Sequence, residues 1–166
     1  MKKILLLVCL WPLLGQAQKI PDFGFNKIRI ANGDKIIQAE ILPVATPPGT
    51  KPHLVYYWYS ANVIHATQGG YSGKLLNGSY TEYYPDKNLE EQGTFNKGLK
   101  DGVWKTWMDN GVLTATYTWD NGVRSGHFVL YDEQGRMKQS GKYRDDAIDS
   151  VSFWHRINIF KKKKRT

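Results

Sequence analysis

Gly78-Ser-Tyr-Thr-Glu-Tyr-Tyr-Pro-Asp-Lys-Asn-Leu89, Gly102-Val-Trp-Lys-Thr-Trp-Met-Asp-Asn-Gly-Val-Leu113 and Gly126-His-Phe-Val-Leu-Tyr-Asp-Glu-Gln-Gly-Arg-Met137 align without a gap, each 24 residues after the last. A fixed period of this size marks a stacked supersecondary unit. Each copy carries an aromatic two places after its glycine (Tyr80, Trp104, Phe128) and another five places after (Tyr83, Trp107, Tyr131). A turn follows: Pro85-Asp-Lys-Asn88, Asp109-Asn-Gly111 or Glu133-Gln-Gly135. A third aromatic comes seventeen places in (Phe95, Trp119, Tyr143), and then a second turn at Asn96-Lys-Gly98, Asp120-Asn-Gly122 or Arg144-Asp-Asp146.

Each copy therefore reads as two short strands and two tight turns. Asn-Gly between strand-like runs suits a type I′ turn, whose two central residues need φ > 0. In the middle copy Leu113, Ala115, Tyr117 and Trp119 alternate with Thr114, Thr116 and Thr118. That period of two, rich in Thr and aromatics, is strand chemistry. With strands about 4.8 Å apart, each copy advances a sheet by roughly 10 Å. A fainter copy steps back 24 residues to Tyr56 and Tyr59, with Gly69-Gly-Tyr71 in the place of Gly93-Thr-Phe95. Val151-Ser-Phe153-Trp-His155 reads as a closing strand. The expected fold class is all-β: an elongated single-layer antiparallel β-meander with an N-terminal hairpin cap.

The stretches GSYTEYYPDK, GVWKTWMDNG and GHFVLYDEQG resemble the MORN repeat family, whose units carry G-x-[YWF] and a tyrosine or tryptophan before an N/D-G turn. The resemblance is closest to bacterial MORN-like proteins, some described as antitoxins, and covers about residues 54–155. It implies a twisted antiparallel sheet with an aromatic-lined groove used for protein contacts or self-association. Asp86-Lys-Asn88 in place of N-G, and Ser150 in place of the repeat glycine, depart from that pattern.

Outside the repeats, residues 1–17 read as a secretory signal peptide: Lys2 and Lys3, an apolar run from Ile4 to Leu14, and small residues at Gly15 and Ala17, with cleavage before Gln18. The apolar run is shorter than the roughly 20 residues that span a bilayer. Cys9 is the only cysteine, so the mature chain would have no disulfide, thiol nucleophile or thiolate-held metal. Residues 18–53 read as a hairpin (Lys27–Ile30 and Ile36–Ile41 around Ala31-Asn-Gly-Asp34) and a proline-rich connector, ATPPGTKP. This segment is expected to cover the first edge of the repeat sheet, residues 54–160, because a bare edge invites pairing with other chains.

The formal charge of +8 belongs to the ends. Setting aside Lys2, Lys3 and Lys161-Lys162-Lys163-Lys164-Arg165 leaves 16 basic against 15 acidic residues. A near-neutral body gives no electrostatic footprint for nucleic acid. The tail, residues 161–166, is a candidate for attraction to an anionic membrane surface. His53, His65, His127 and His155 form no zinc-type spacing, Glu90-Glu91 and Asp145-Asp146 are neighbours that a strand would point apart, and no G-x-S-x-G elbow occurs. The sequence thus points to an exported, non-enzymatic repeat protein, with no cofactor, metal, nucleic acid or small-molecule substrate. Its partner is expected to be a protein, held by the outward aromatics Tyr83, Trp107 and Tyr131. Envelope attachment through the tail, and antitoxin-like or immunity-like neutralisation, are the alternatives.

Overall fold

A computed structural model describes residues 24 and 26–151. The signal peptide, the Phe153-to-His155 part of the closing strand and the basic tail lie outside the described residues. What is described is all-β. Two N-terminal strands, β1 (Lys27–Asn32) and β2 (Lys35–Glu40), precede β3 (Val55–Ser60), β4 (Val63–Gln68) and β5 (Lys74–Leu75). The repeats supply β6 (Gly78–Tyr83), β7 (Leu89–Asn96), β8 (Leu99–Trp107), β9 (Leu113–Asp120), β10 (Val123–Tyr131) and β11 (Met137–Arg144), and β12 (Ala147–Val151) follows. One antiparallel sheet of nine strands runs β1-β2-β6-β7-β8-β9-β10-β11-β12, and a second of three runs β4-β3-β5.

Each 24-residue copy is one hairpin: β6–β7, β8–β9, β10–β11. The period shows most clearly in the irregularities. The ladder shifts register between Glu82 and Tyr83, between Thr106 and Trp107, and between Leu130 and Tyr131, one residue short of each inner turn. It shifts again beside Gly102 and beside Gly126. These two glycines hold φ of 69° and 110°, a region that costs an ordinary L-residue about 1–2 kcal/mol.

The two turn families differ. At the outer turns Lys97 and Gly98, Asn121 and Gly122, and Asp145 and Asp146 all have positive φ, as type I′ requires. At the inner turns only one residue per copy does: Lys87, Gly111 and Gly135. The amide of each bonds back to a carbonyl three residues earlier, of Tyr84, Met108 and Asp132. Asn110-Gly111 therefore ends a three-residue loop, residues 109–111, with a left-handed third residue, and is not the two-residue type I′ turn its dipeptide suggests. Likewise Asn32 belongs to β1, paired with Lys35, and the β1–β2 loop is Gly33-Asp34. Lys87, at φ 72°, occupies a place that glycine fills in the other two copies. Lys87→Gly is expected to raise stability by about 0.5–1 kcal/mol, the left-handed penalty less the entropy of glycine, read as a higher urea midpoint with unchanged slope.

The N-terminal hairpin extends the meander directly. Ile36, Ile37, Gln38 and Ala39 of β2 pair with Tyr83, Glu82, Thr81 and Tyr80 of β6, which hides the edge that β6 would expose. The fainter copy at Tyr56 and Tyr59 takes no place in that ladder. Its hairpin, turned by Ala61 and Asn62 at positive φ, joins β5 in the small sheet and lies over one face of the large one. The strand Val-Tyr-Tyr-Trp-Tyr-Ser explains why: it has no polar face. Tyr57 and Tyr59 turn toward Ile37, Ala39, Leu76, Tyr80, Phe95 and Trp104 of the main core, while Tyr56 and Trp58 turn toward Leu54, Leu75 and Leu99. A strand apolar on both sides is stable between two layers of side chains, not half exposed at a sheet edge. The molecule thus has two layers over its first strands, while Tyr117, Phe128 and Tyr143 on β9–β11 pack on one another.

Candidate functional site

The face of the large sheet beneath the small sheet is the inner face. Alternation places Tyr80 and Glu82, then Phe95, Trp104, Tyr117, Trp119, Phe128 and Tyr143 on it. Tyr80, Trp104 and Phe128 are buried, which assigns the aromatics at offset two to the core, and Phe95, at offset seventeen, is buried with them. Trp104, 1% exposed, meets Phe95 edge-on with centroids 4.9 Å apart and donates its indole N–H to the Thr94 carbonyl at 3.2 Å. Tyr80 donates its hydroxyl to Glu82 at 2.9 Å, and burial first, then that carboxylate, raises its pKa far above the usual phenol value.

The aromatics at offset five behave differently. Tyr83, Trp107 and Tyr131 each end the first strand of their hairpin and stand opposite Leu89, Leu113 and Met137. Being one residue beyond Glu82, Thr106 and Leu130, they fall on the outer face, away from the small sheet. All three are half-buried, and Met137 is exposed. At its outer-turn end this face is covered, since Leu99 and Val123, which alternate with Lys100 and Arg124, pack with Leu54, Tyr56 and Leu75; Tyr83, Trp107 and Tyr131 lie at the opposite, inner-turn end. The row at Tyr83, Trp107 and Tyr131 recurs on every second strand, at β6, β8 and β10.

Sequence reasoning missed the charged groups threaded through the inner face. Lys100 reaches over the Trp104 ring with its Nζ 3.8 Å from the centroid, and pairs with Glu91 at 2.7 Å. One period later, Arg124 lies over Tyr143 with its guanidinium carbon 4.7 Å from the centroid, and pairs with Asp146 at 3.1 Å. Trp119 lies between the two cations, 5.6 Å from Lys100 and 5.9 Å from Arg124. Each such contact contributes about 0.5–2 kcal/mol, more as water is excluded. The signal was present, since positions 100 and 124 are both basic and 24 apart. A second ionic group joins Lys35 to Glu90 at 2.5 Å and to Glu82 at 3.8 Å. The hydrogen bond to Glu90 is the main cause of the raised Lys35 pKa.

These groups do not converge on a reaction centre. Among the described residues no set of three or more His, Cys, Asp or Glu is placed to hold a metal. His65 stacks on Trp58 at 4.2 Å, and His127 is exposed on β10. A concavity of about 390 Å³ lies between the proline-rich connector and β5, lined by Ile41, Leu42, Pro43, Val44, Pro47, Tyr71 and Leu75 among others. Its wall is mostly apolar, with Asn26 and Lys74 as its polar members.

No family profile and no curated protein matches the chain. Among solved structures, the Glycosylation Associate Protein (Gap123) complex from Streptococcus agalactiae is similar at a TM-score of 0.32 and 15% sequence identity, over 72% of this chain and 21% of that one. The chain thus spans about a fifth of the structure it matches.

Proposed function

We propose that this is an exported, non-enzymatic repeat protein of MORN-like kind that holds a protein partner on the outer face of its meander. The observation that carries this reading is the row Tyr83, Trp107 and Tyr131: one half-buried large aromatic per hairpin, each beside an apolar residue of the next strand, with no layer above them among the described residues. Tyr and Trp suit such contacts because they offer large area at the cost of few rotors. Burying half of one such ring removes roughly 100 Å² from water, about 2–3 kcal/mol at 25 cal/mol per Å². Three in a row offer anchors at the centre of a contact whose remaining area neighbouring residues would supply.

The test is capture of envelope proteins by the mature chain. Trp107→Ala and Tyr131→Ala are each expected to reduce capture about tenfold or more while the far-UV CD spectrum stays intact. If both variants instead unfold, the row belongs to the core and the surface reading fails. Attachment through Lys161–Arg165 and immunity-like neutralisation rest on residues outside those described or on the family resemblance.

A further inference from the structure

We propose a second binding site, on the inner face at Arg124, that takes a carboxylate carried by an extended peptide segment with an apolar residue close by. It is separate from the outer aromatic row and does not depend on it.

The guanidinium of Arg124 is held in place from two directions. Asp146 Oδ1 accepts from both the Arg124 backbone amide, at 3.0 Å, and Nε, at 3.1 Å. Nη1 donates to the Tyr143 hydroxyl at 3.5 Å. A guanidinium has five N–H donors. Three of them, all on the two terminal nitrogens, have no partner among the described residues. The side chain is 36% exposed, so water reaches part of it. A planar fork whose position is fixed beforehand loses little entropy when it accepts a carboxylate, and its geometry matches the two oxygens. Lys100, the same position one copy earlier, shows the contrast: it is 15% exposed, beside Tyr57 of the small sheet, and satisfied by Glu91.

The surroundings select the kind of molecule. Acidic sugars bind aromatic sites by laying a ring on a free aromatic face. Here each ring already has neighbours against it: Trp119 the two cations, Tyr117 Phe128 in a stacked pair at 6.3 Å, and Tyr143 Arg124 and Phe128. Ile148, paired with Tyr143 on β12 and 53% exposed, lies two strands from Arg124, about 10 Å away. A peptide spans that distance in about three residues, placing an acidic side chain on Arg124 and an apolar one on Ile148.

The experiment measures binding of a random Glu-Tyr copolymer to the full chain by tryptophan fluorescence, at low and high salt, with alginate as a polyuronate control. The copolymer is expected to bind, to weaken with salt, and to lose about tenfold or more in affinity in Arg124→Gln, with Arg124→Lys intermediate. Asp146→Asn keeps an acceptor for the arginine but removes the competing charge, so it is expected to bind more tightly, a direction that a purely structural role for the pair would not give. Unchanged affinity in Arg124→Gln, or unchanged or weaker binding in Asp146→Asn, overturns the site; should Arg124→Gln fail to fold, Asp146→Asn decides. Alginate binding with the same dependence on Arg124 overturns the peptide assignment. Loss in Trp107→Ala without loss in Arg124→Gln would mean that the outer row holds the copolymer.

Discussion

Trp104→Ala is expected to cost about 3–5 kcal/mol, the largest loss of any single truncation in the sheet, read as a fall in the urea midpoint. Trp104 is 1% exposed and stands where the two layers meet. Its ring meets Tyr80 at 5.6 Å and Phe95 at 4.9 Å, and carries Lys100 on its face at 3.8 Å. Removing it forfeits a burial of roughly 200 Å² and leaves a cavity that flanking strands cannot close, since their ladder bonds fix their spacing. It also strips Lys100 of its closest aromatic neighbour while Glu91 stays 24% exposed beside it. Trp107→Ala, three residues along the same strand, is expected to cost far less, about 1–2 kcal/mol, because Trp107 is half-buried at the inner-turn end of the outer face. Equal costs at the two positions would show that the outer row is as structural as the inner one.

The period of 24 residues carried most of the fold because each copy is locally complete, with two strands and two turns. Gly102 and Gly126 mark the bulges, and the alternation from Leu113 to Trp119 sets the faces. What the period could not carry was the fate of Tyr56 to Tyr71. That segment keeps the aromatic spacing, but spacing reports only which residues face together, not what they face. The choice between a further meander strand and a separate layer was decided by competition for the edge of β6, which Ile37 and Ala39 of β2 win by seating beside Tyr80. Such a contest between residues about forty positions apart leaves no local trace. The inner turns depart from their dipeptide for a related reason: Asn110-Gly111 fits two loop lengths, and the cross-strand register selects the longer. Tyr83, Trp107 and Tyr131 were legible as a row, whereas Arg124 became a candidate only when the ladder set it beside Tyr143 and Asp146.

Gly93→Ala is expected to destabilise by about 2–3 kcal/mol although alanine is the smallest change available. A methyl group built on Gly93 would lie 2.2 Å from two atoms of the Trp104 ring, far inside contact distance. The indole cannot step aside, because Phe95 and Tyr80 close on it and its N–H is bound to the Thr94 carbonyl. Gly93 itself is not at positive φ, so backbone strain plays no part in this cost. That separation makes the origin testable by a double-mutant cycle. In a Trp104→Ala background the clash is gone, and Gly93→Ala should then stabilise by about 0.4–1 kcal/mol through the reduced freedom of the unfolded chain. The sign reversal, a coupling of about 3 kcal/mol, is the signature of one ring lying flat on one missing side chain. If Gly93→Ala costs the same in both backgrounds, the glycine serves the backbone of β7 and not the packing of Trp104, and the inner aromatic row is not organised by the gap this glycine leaves.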